Sequence, residues 1–231
     1  MKQQKSKILI FSAHPDDAEL GMGGTIAHLL SRGAEVKVVD LTNGEPTPKG
    51  SIEIRMQESL DASKSLGFER EILDYDNRNL IFSIEKRDRI AGIIRKFRPD
   101  GIFVHYYEDS HPDHRETAKI VQDSVFAARL TKTDFPGEPY RAENLYFYYA
   151  VHLRKVEKPD FFIRISEKEY QKKVRALKCY KSQFIDNKKN EKVIEKIKTR
   201  DSYWGFLVKS NYAEGFKTRG EIGLNNINCL L

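Results

Sequence analysis

"KILIFSAHPDDAELGMGGTIAHLLSRGAEVKVVDL", residues 7–41, sets the fold class. An apolar run over 7–13 gives way to a polar break. A segment with Ile26, Leu29 and Leu30 at helical spacing follows, then a second apolar run over 35–41. Two short apolar runs flanking a helical pattern predict a strand, a helix and another strand. Gly33 suits the position just past the helix end. His14, Asp16 and Asp17 stand directly after the first strand, where carboxylates need a reason.

The alternation continues outward. "TNGEPTPKG" is a turn-rich loop, and a helix over 52–66 is stopped by Gly67. "EILDY" (71–75) reads as a third strand. From Ser83, residues Ile84, Ile90, Ile93, Ile94 and Phe97 mark a helix that ends near Pro99. "GIFVHYY" (101–107) is a strand, followed by a helix from His114 to Ala128. Strands and helices in strict alternation predict an α/β fold: a Rossmann-like, open, mostly parallel sheet with helices on both faces. Beyond that, 144–151 and 161–165 read as strands, and 166–184 and 190–208 as helices. "NYAEGF" (211–216) reads as a turn-like end. No internal repeat, low-complexity segment or Pro/Gly-rich linker interrupts the chain, so 1–231 is expected to be one domain. Tyr146–Tyr149 suit a core better than an interface.

Composition narrows the function classes. At 39% hydrophobic and 32% charged residues the chain is that of a soluble globular protein. The N-terminal residues lack a signal-peptide core, and no apolar stretch approaches ~20 residues, so no membrane association is expected. Cys179 and Cys229 are too few for a disulfide scaffold, which suggests a reduced, cytoplasmic protein. The net charge is +6, but residues 161–200 hold 13 Lys/Arg against 5 Asp/Glu. The excess belongs to one helical stretch with a solvated face, and no nucleic-acid partner is expected. Glycines at 21, 23 and 24 do not form the dinucleotide fingerprint. A P-loop lysine and a G-x-S-x-G elbow are also absent. Small residues there would let backbone approach the site or the sheet closely.

In an open parallel sheet, ligands bind at the carboxyl ends of strands. Two histidine–carboxylate clusters fall there: His14, Asp16 and Asp17 after the first strand, and "HPDH", His111–His114, past the fourth. Either alone also fits a turn with an Asp helix cap. Together they offer N and O donors that suit Zn2+, with acids and bases to spare for proton transfer. His28 is expected to pack in its helix and His105 to be structural, while His152 fits either role.

These motifs carry a resemblance. "AHPDDAELGMGGT" with a later "HPDH" resembles the LmbE-like, or PIG-L, zinc-dependent N-acetylglucosamine deacetylases. The resemblance implies their fold, with the metal at the carboxyl edge of the sheet. It assigns zinc to His14, Asp17 and His114, although Fe2+ could occupy the same ligands. It makes Asp16 the general base. His111 would stabilise the oxyanion or protonate the amine, held charged by Asp113. Arg55 and Arg141 resemble arginines that line the substrate pocket. A homo-oligomer is implied, with a hexamer as the suggested form.

"IEIR", "HPDHRETAKIVQDSVFAAR", "YKSQF" (180–184) and "YAEGF" (212–216) further resemble the bacillithiol-biosynthesis branch. That branch implies a small amino-sugar conjugate as substrate: N-acetylglucosaminyl malate, deacetylated to glucosaminyl malate. An anionic malate makes paired arginines physically sensible. Within the family the alternative substrates are a chito-oligosaccharide or an inositol conjugate. One stretch departs from the pattern. Where many relatives carry Pro-Asp-Gly or Pro-Asp-Arg after the third strand, this chain has Asp76-Asn77-Arg78. Either Asp76 or Asn77 would then bind the sugar hydroxyls.

Overall fold

The computed structural model describes residues 5–150 and 158–223, so His152 and Cys229 lie outside the described residues. In chain order the elements are β1 (Lys7–Ser12), α1 (Asp17–Ser31), β2 (Glu35–Thr42), α2 (Ile52–Leu66) and β3 (Glu69–Tyr75). Then come α3 (Ile84–Phe97), β4 (Gly101–His105), α4 (Pro112–Ala128), β5 (Leu145–Tyr148) and β6 (Phe161–Ile165). Helices α5 (Glu167–Cys179), α6 (Lys181–Phe184) and α7 (Val193–Leu207) precede β7 (Tyr212–Lys217). Serines at 51, 83 and 166 start α2, α3 and α5, each accepting a backbone N–H three residues on. Gly33 takes the left-handed conformation past α1 and Gly67 caps α2.

The strands form one sheet in the order β3-β2-β1-β4-β5-β7-β6. The first five in that order are mutually parallel, and β7 runs antiparallel to both its neighbours. Alternate residues of β1 face opposite layers. Ile8 and Ile10 pack with α1, α2 and α5, while Leu9 and Phe11 pack with α3 and α4. Phe147, Tyr148 and Tyr149 are buried in the core. Helices therefore cover both faces, as the alternation implied. The order reverses between β1 and β4, so a crevice opens at their carboxyl ends. Both histidine clusters follow these two strands.

One expectation is corrected here. Residues 212–217 are not a turn but β7, slotted between β5 and β6. The turn-like look came from Gly215 and from Glu214, a charge within a strand. Gly215 is needed because a Cβ there would approach Pro159 Cγ to 2.5 Å. Glu214 is fully buried on the face that meets α1. Its Oε1 accepts Gly24 N–H at 3.0 Å and its Oε2 accepts Thr25 N–H at 2.6 Å. These amides need a partner because α1 breaks at Met22 (φ −147°, ψ 26°), leaving the second segment with orphan donors. Lys173 Nζ, 2.6 Å from both Glu214 and Asp201, balances the buried carboxylate. At Gly24 a Cβ would come within 2.8 Å of Ile165, which explains the small residues of "GMGGT".

Candidate metal centre

β1 ends at Ser12, and Ala13–Asp16 form the turn into α1. Asp16 holds φ 104°, the left-handed region that a non-glycine residue seldom adopts. Its side chain makes no cap hydrogen bond, so capping does not account for it. Asp17 begins α1 and is buried. Across the crevice, His111 precedes α4, and its Nδ1 accepts the Asp113 N–H at 3.2 Å. The residue that caps α4 is therefore the histidine, not an aspartate.

Asp17 Oδ2 is the centre of the site. It lies 3.1 Å from His14 Nδ1, 3.3 Å from His114 Nε2 and 3.3 Å from His105 Nε2, and it accepts His14 N–H at 2.9 Å. One ligand atom each from His14, Asp17 and His114 lies within 4.8 Å of the others. His14, Asp16, Asp17, Arg55, Asn77, Arg78 and His111 line a cavity of 310 Å3 with residues of the β2–α2 loop and the C-terminal helices. Behind it, His114 Nδ1 sits 3.2 Å from buried Asp109 Oδ2. A carboxylate on the far nitrogen of a ligating imidazole fixes its tautomer and orientation.

Charge is balanced within the cluster. Burial would raise Asp17, but His114 above all holds it well below the usual carboxylate range. Burial would lower His14 and His114. The Asp113 and Asp17 carboxylates push His14 up to about 10, and Asp17 with Asp109 pushes His114 up to about 9. Burial pushes Asp16 up to about 7 against the pull of Arg55. His105 goes down to about 4 through burial and its stacked neighbour His114, 3.9 Å between centroids. Its Nε2 accepts Ala13 N–H at 2.9 Å, so His105 is a neutral prop tying β4 to the end of β1. The structural role expected of it holds, but directly under the site. His28 is not simply packed: its Nδ1 meets Glu169 Oε1 at 3.0 Å.

The structure gathers His14, Asp16, Asp17, His111, Asp113 and His114 in one place, and it corrects three substrate or positioning expectations, those for Arg141, Asp76 and Asp113. Arg141 is exposed, paired with Glu143 at 3.2 Å, and lies outside the cavity. It precedes β5, which runs parallel to β4, so it falls at the amino edge of the sheet, opposite the site. Asp76 is exposed and outside the lining, whereas Asn77 lines the cavity and donates to Gly44 O at 2.7 Å. Asp113 does not hold His111 through its carboxylate: Oδ2 meets His14 Nε2 at 3.1 Å and accepts Arg78 N–H at 2.8 Å. Arg55 reaches the cavity but is committed to Asp16 and the Pro15 carbonyl.

The donor set fits a metal. Imidazole, carboxylate and imidazole converge from two strand ends, open to a cavity on one side and backed by Asp109 on the other. Three N/O donors beside a cavity are a set that could hold a divalent metal ion.

The chain has counterparts among known proteins. The family model described as PIG-L, GlcNAc-PI de-N-acetylase, matches residues 9–125 and so spans both clusters. The chain is 30% identical over 228 residues to diacetylchitobiose deacetylase of Thermococcus kodakarensis, covering 91% of this chain and 82% of the relative. Among solved structures, the conserved protein TT1542 of Thermus thermophilus superposes with TM-score 0.88 at 33% identity, covering 95% and 97% of the two chains. N,N'-diacetylchitobiose deacetylase of Pyrococcus horikoshii gives 0.81 at 30%, covering 92% and 83%. A mostly parallel sheet with its donors at the β1/β4 switch point, matched in sequence across both motifs, places this chain in the PIG-L family of de-N-acetylases.

Proposed function

We propose that the protein hydrolyses the acetamide of N-acetylglucosaminyl malate, releasing acetate and glucosaminyl malate for bacillithiol biosynthesis. The observation that carries hydrolysis is the His14–Asp17–His114 donor set with Asp16 beside it on the cavity wall. The finer substrate is supported by the resemblance of "YKSQF", whose Gln183 and Phe184 line the same cavity.

His14, Asp17 and His114 would hold the metal, with zinc proposed and ferrous iron accepted by the same donors. When bound, it would polarise the acetamide carbonyl and acidify a water. Asp16 is not among those ligands and takes the water proton as general base. Arg55 and the Pro15 carbonyl keep its carboxylate in place. His111 Nδ1 is already an acceptor, which leaves Nε2 to carry its proton. His111 then acts as the donor to the developing oxyanion. The proton on Asp16 then passes to the amine as the C–N bond breaks, and water has been divided between acetate and amine.

A second reading is a chito-oligosaccharide substrate, favoured by the likeness to the two diacetylchitobiose deacetylases. Acetate release measured side by side on N-acetylglucosaminyl malate, diacetylchitobiose and the N-acetylglucosaminyl inositol conjugate separates them. Preference for malate supports the proposal. Preference for chitobiose supports the second reading. No release from any of them overturns both.

A further inference from the structure

Resting on the de-N-acetylase reading, we propose that Arg78 is the specificity-determining residue, selecting conjugates whose aglycone carries a carboxylate. Among the described residues two guanidinium groups line the cavity, and one of these two is open to a ligand. Arg55 is 2% exposed, with Nη1 on Asp16 Oδ2 at 3.3 Å and Nη2 on Pro15 O at 2.7 Å. Arg141 faces the opposite edge of the sheet. Arg78 is exposed, and among the described residues its side chain has a single hydrogen-bond partner, Pro46 O at 2.7 Å from Nη2.

Its surroundings make it the charge of the rim. Pro46, Thr47 and Pro48 from the β2–α2 loop, Gln183 from α6 and Asn190 from the α6–α7 connection are neutral neighbours in the lining. They can meet hydroxyls but offer an anion no counter-charge. Among the described residues the lining carboxylates are Asp16 and Asp17, less exposed than Arg78 and set beside the histidines, and they would repel an anionic aglycone. The favourable place for one is therefore beside exposed Arg78, away from those carboxylates.

Arg78 is also held in place. Its backbone adopts φ 67°, and its N–H donates to Asp113 Oδ2 at 2.8 Å, the oxygen that meets His14. A backbone fastened to the His14 cluster fixes where the guanidinium emerges relative to the reacting centre. A planar fork in a fixed position pairs with a carboxylate directionally, which a mobile lysine does not. The Asp76-Asn77-Arg78 departure thus gains a function: Asn77 faces the cavity and Arg78 reads the aglycone.

The test compares kcat/KM for acetate release from N-acetylglucosaminyl malate and from its dimethyl ester, which keeps the skeleton and removes the charge. The wild type is expected to prefer the dianion by about tenfold or more. Arg78→Met should abolish that preference by lowering kcat/KM for the dianion by about tenfold more than for the ester, and Arg78→Lys should restore part of it. Equal losses on both conjugates, or no change on either, would overturn the proposal. A wild type that releases acetate but shows no charge preference would also overturn it and leave hydrolysis standing. A wild type that releases acetate from neither conjugate nor from diacetylchitobiose would overturn the hydrolysis reading, and this proposal with it.

Discussion

Arg55 Nη1 stands 3.3 Å from Asp16 Oδ2, while its Nη2 donates to the carbonyl of Pro15 at 2.7 Å. One buried guanidinium thus grips both the side chain of the proposed base and the turn that carries it. Asp16 needs such a grip, because a non-glycine residue at φ 104° is strained by about 1–3 kcal/mol. Arg55→Lys retains the charge but cannot serve both oxygens. The expected outcome is a fall in kcat of about tenfold or more with metal content unchanged, measured by acetate release and metal analysis on the same preparation.

The adjacent aspartates should fail differently. Asp17 touches three histidines and belongs to the proposed ligand set, whereas Asp16 does not. Asp16→Asn is expected to keep its metal and lose roughly 10²- to 10⁴-fold in kcat. Asp17→Asn is expected to lose the metal itself. Metal analysis of the two purified variants checks this, and equal metal content in both would remove the division of labour.

Glu214 joins β7 to the break in α1. Lys173 and Arg200 oppose Glu214 and Asp201 in a buried cluster. Glu214→Gln removes one charge and replaces an acceptor of Gly24 or Thr25 with a donor. Breaking a buried pair on one side costs about 3–5 kcal/mol. For a chain of this size that lowers Tm by roughly 6–20 °C, which calorimetry would read.

A milder, pH-dependent contribution sits between α1 and α5. Glu169 Oε2 accepts Ser166 N–H at 2.8 Å in a capping box, and Oε1 meets His28 Nδ1 at 3.0 Å. Burial would raise this carboxyl, but the Ser166 hydrogen bonds and then His28 hold it below its ordinary value. A depressed folded value gives stability that is present above the unfolded value, about 4.3, and is lost as pH falls through the folded one. Glu169→Gln should therefore destabilise by about 1 kcal/mol at pH 7. The gap to wild type should shrink below pH ~4 in urea unfolding, and a gap constant with pH would contradict the assignment.

The site was legible where chemistry is contiguous. His14, Asp16, Asp17 and the His111–His114 run sit in two short motifs that local periodicity alone places at strand ends, and the fold carries them to one crevice. What stayed hidden depends on direction and loop path. Arg141 looked suitable by type, but only the parallel sense of β5 shows that it emerges at the wrong edge. Asp109 lay within the loop after the fourth strand, and its contact with His114 needs the turn into α4. Arg78 gave no pattern, because its place depends on a backbone hydrogen bond to Asp113. β7 was obscured because its polar residue pairs with a lysine forty-one positions away, not with solvent.

The central claim is metal-assisted removal of an acetyl group by the His14–Asp17–His114 centre with Asp16 as base. The most direct measurement is acetate release from N-acetylglucosaminyl malate and diacetylchitobiose by metal-stripped protein, before and after adding zinc. The account predicts negligible acetate from the stripped protein on both conjugates and recovery on at least one of them at about one equivalent of zinc per chain. Undiminished release by protein shown to be metal-free would contradict it.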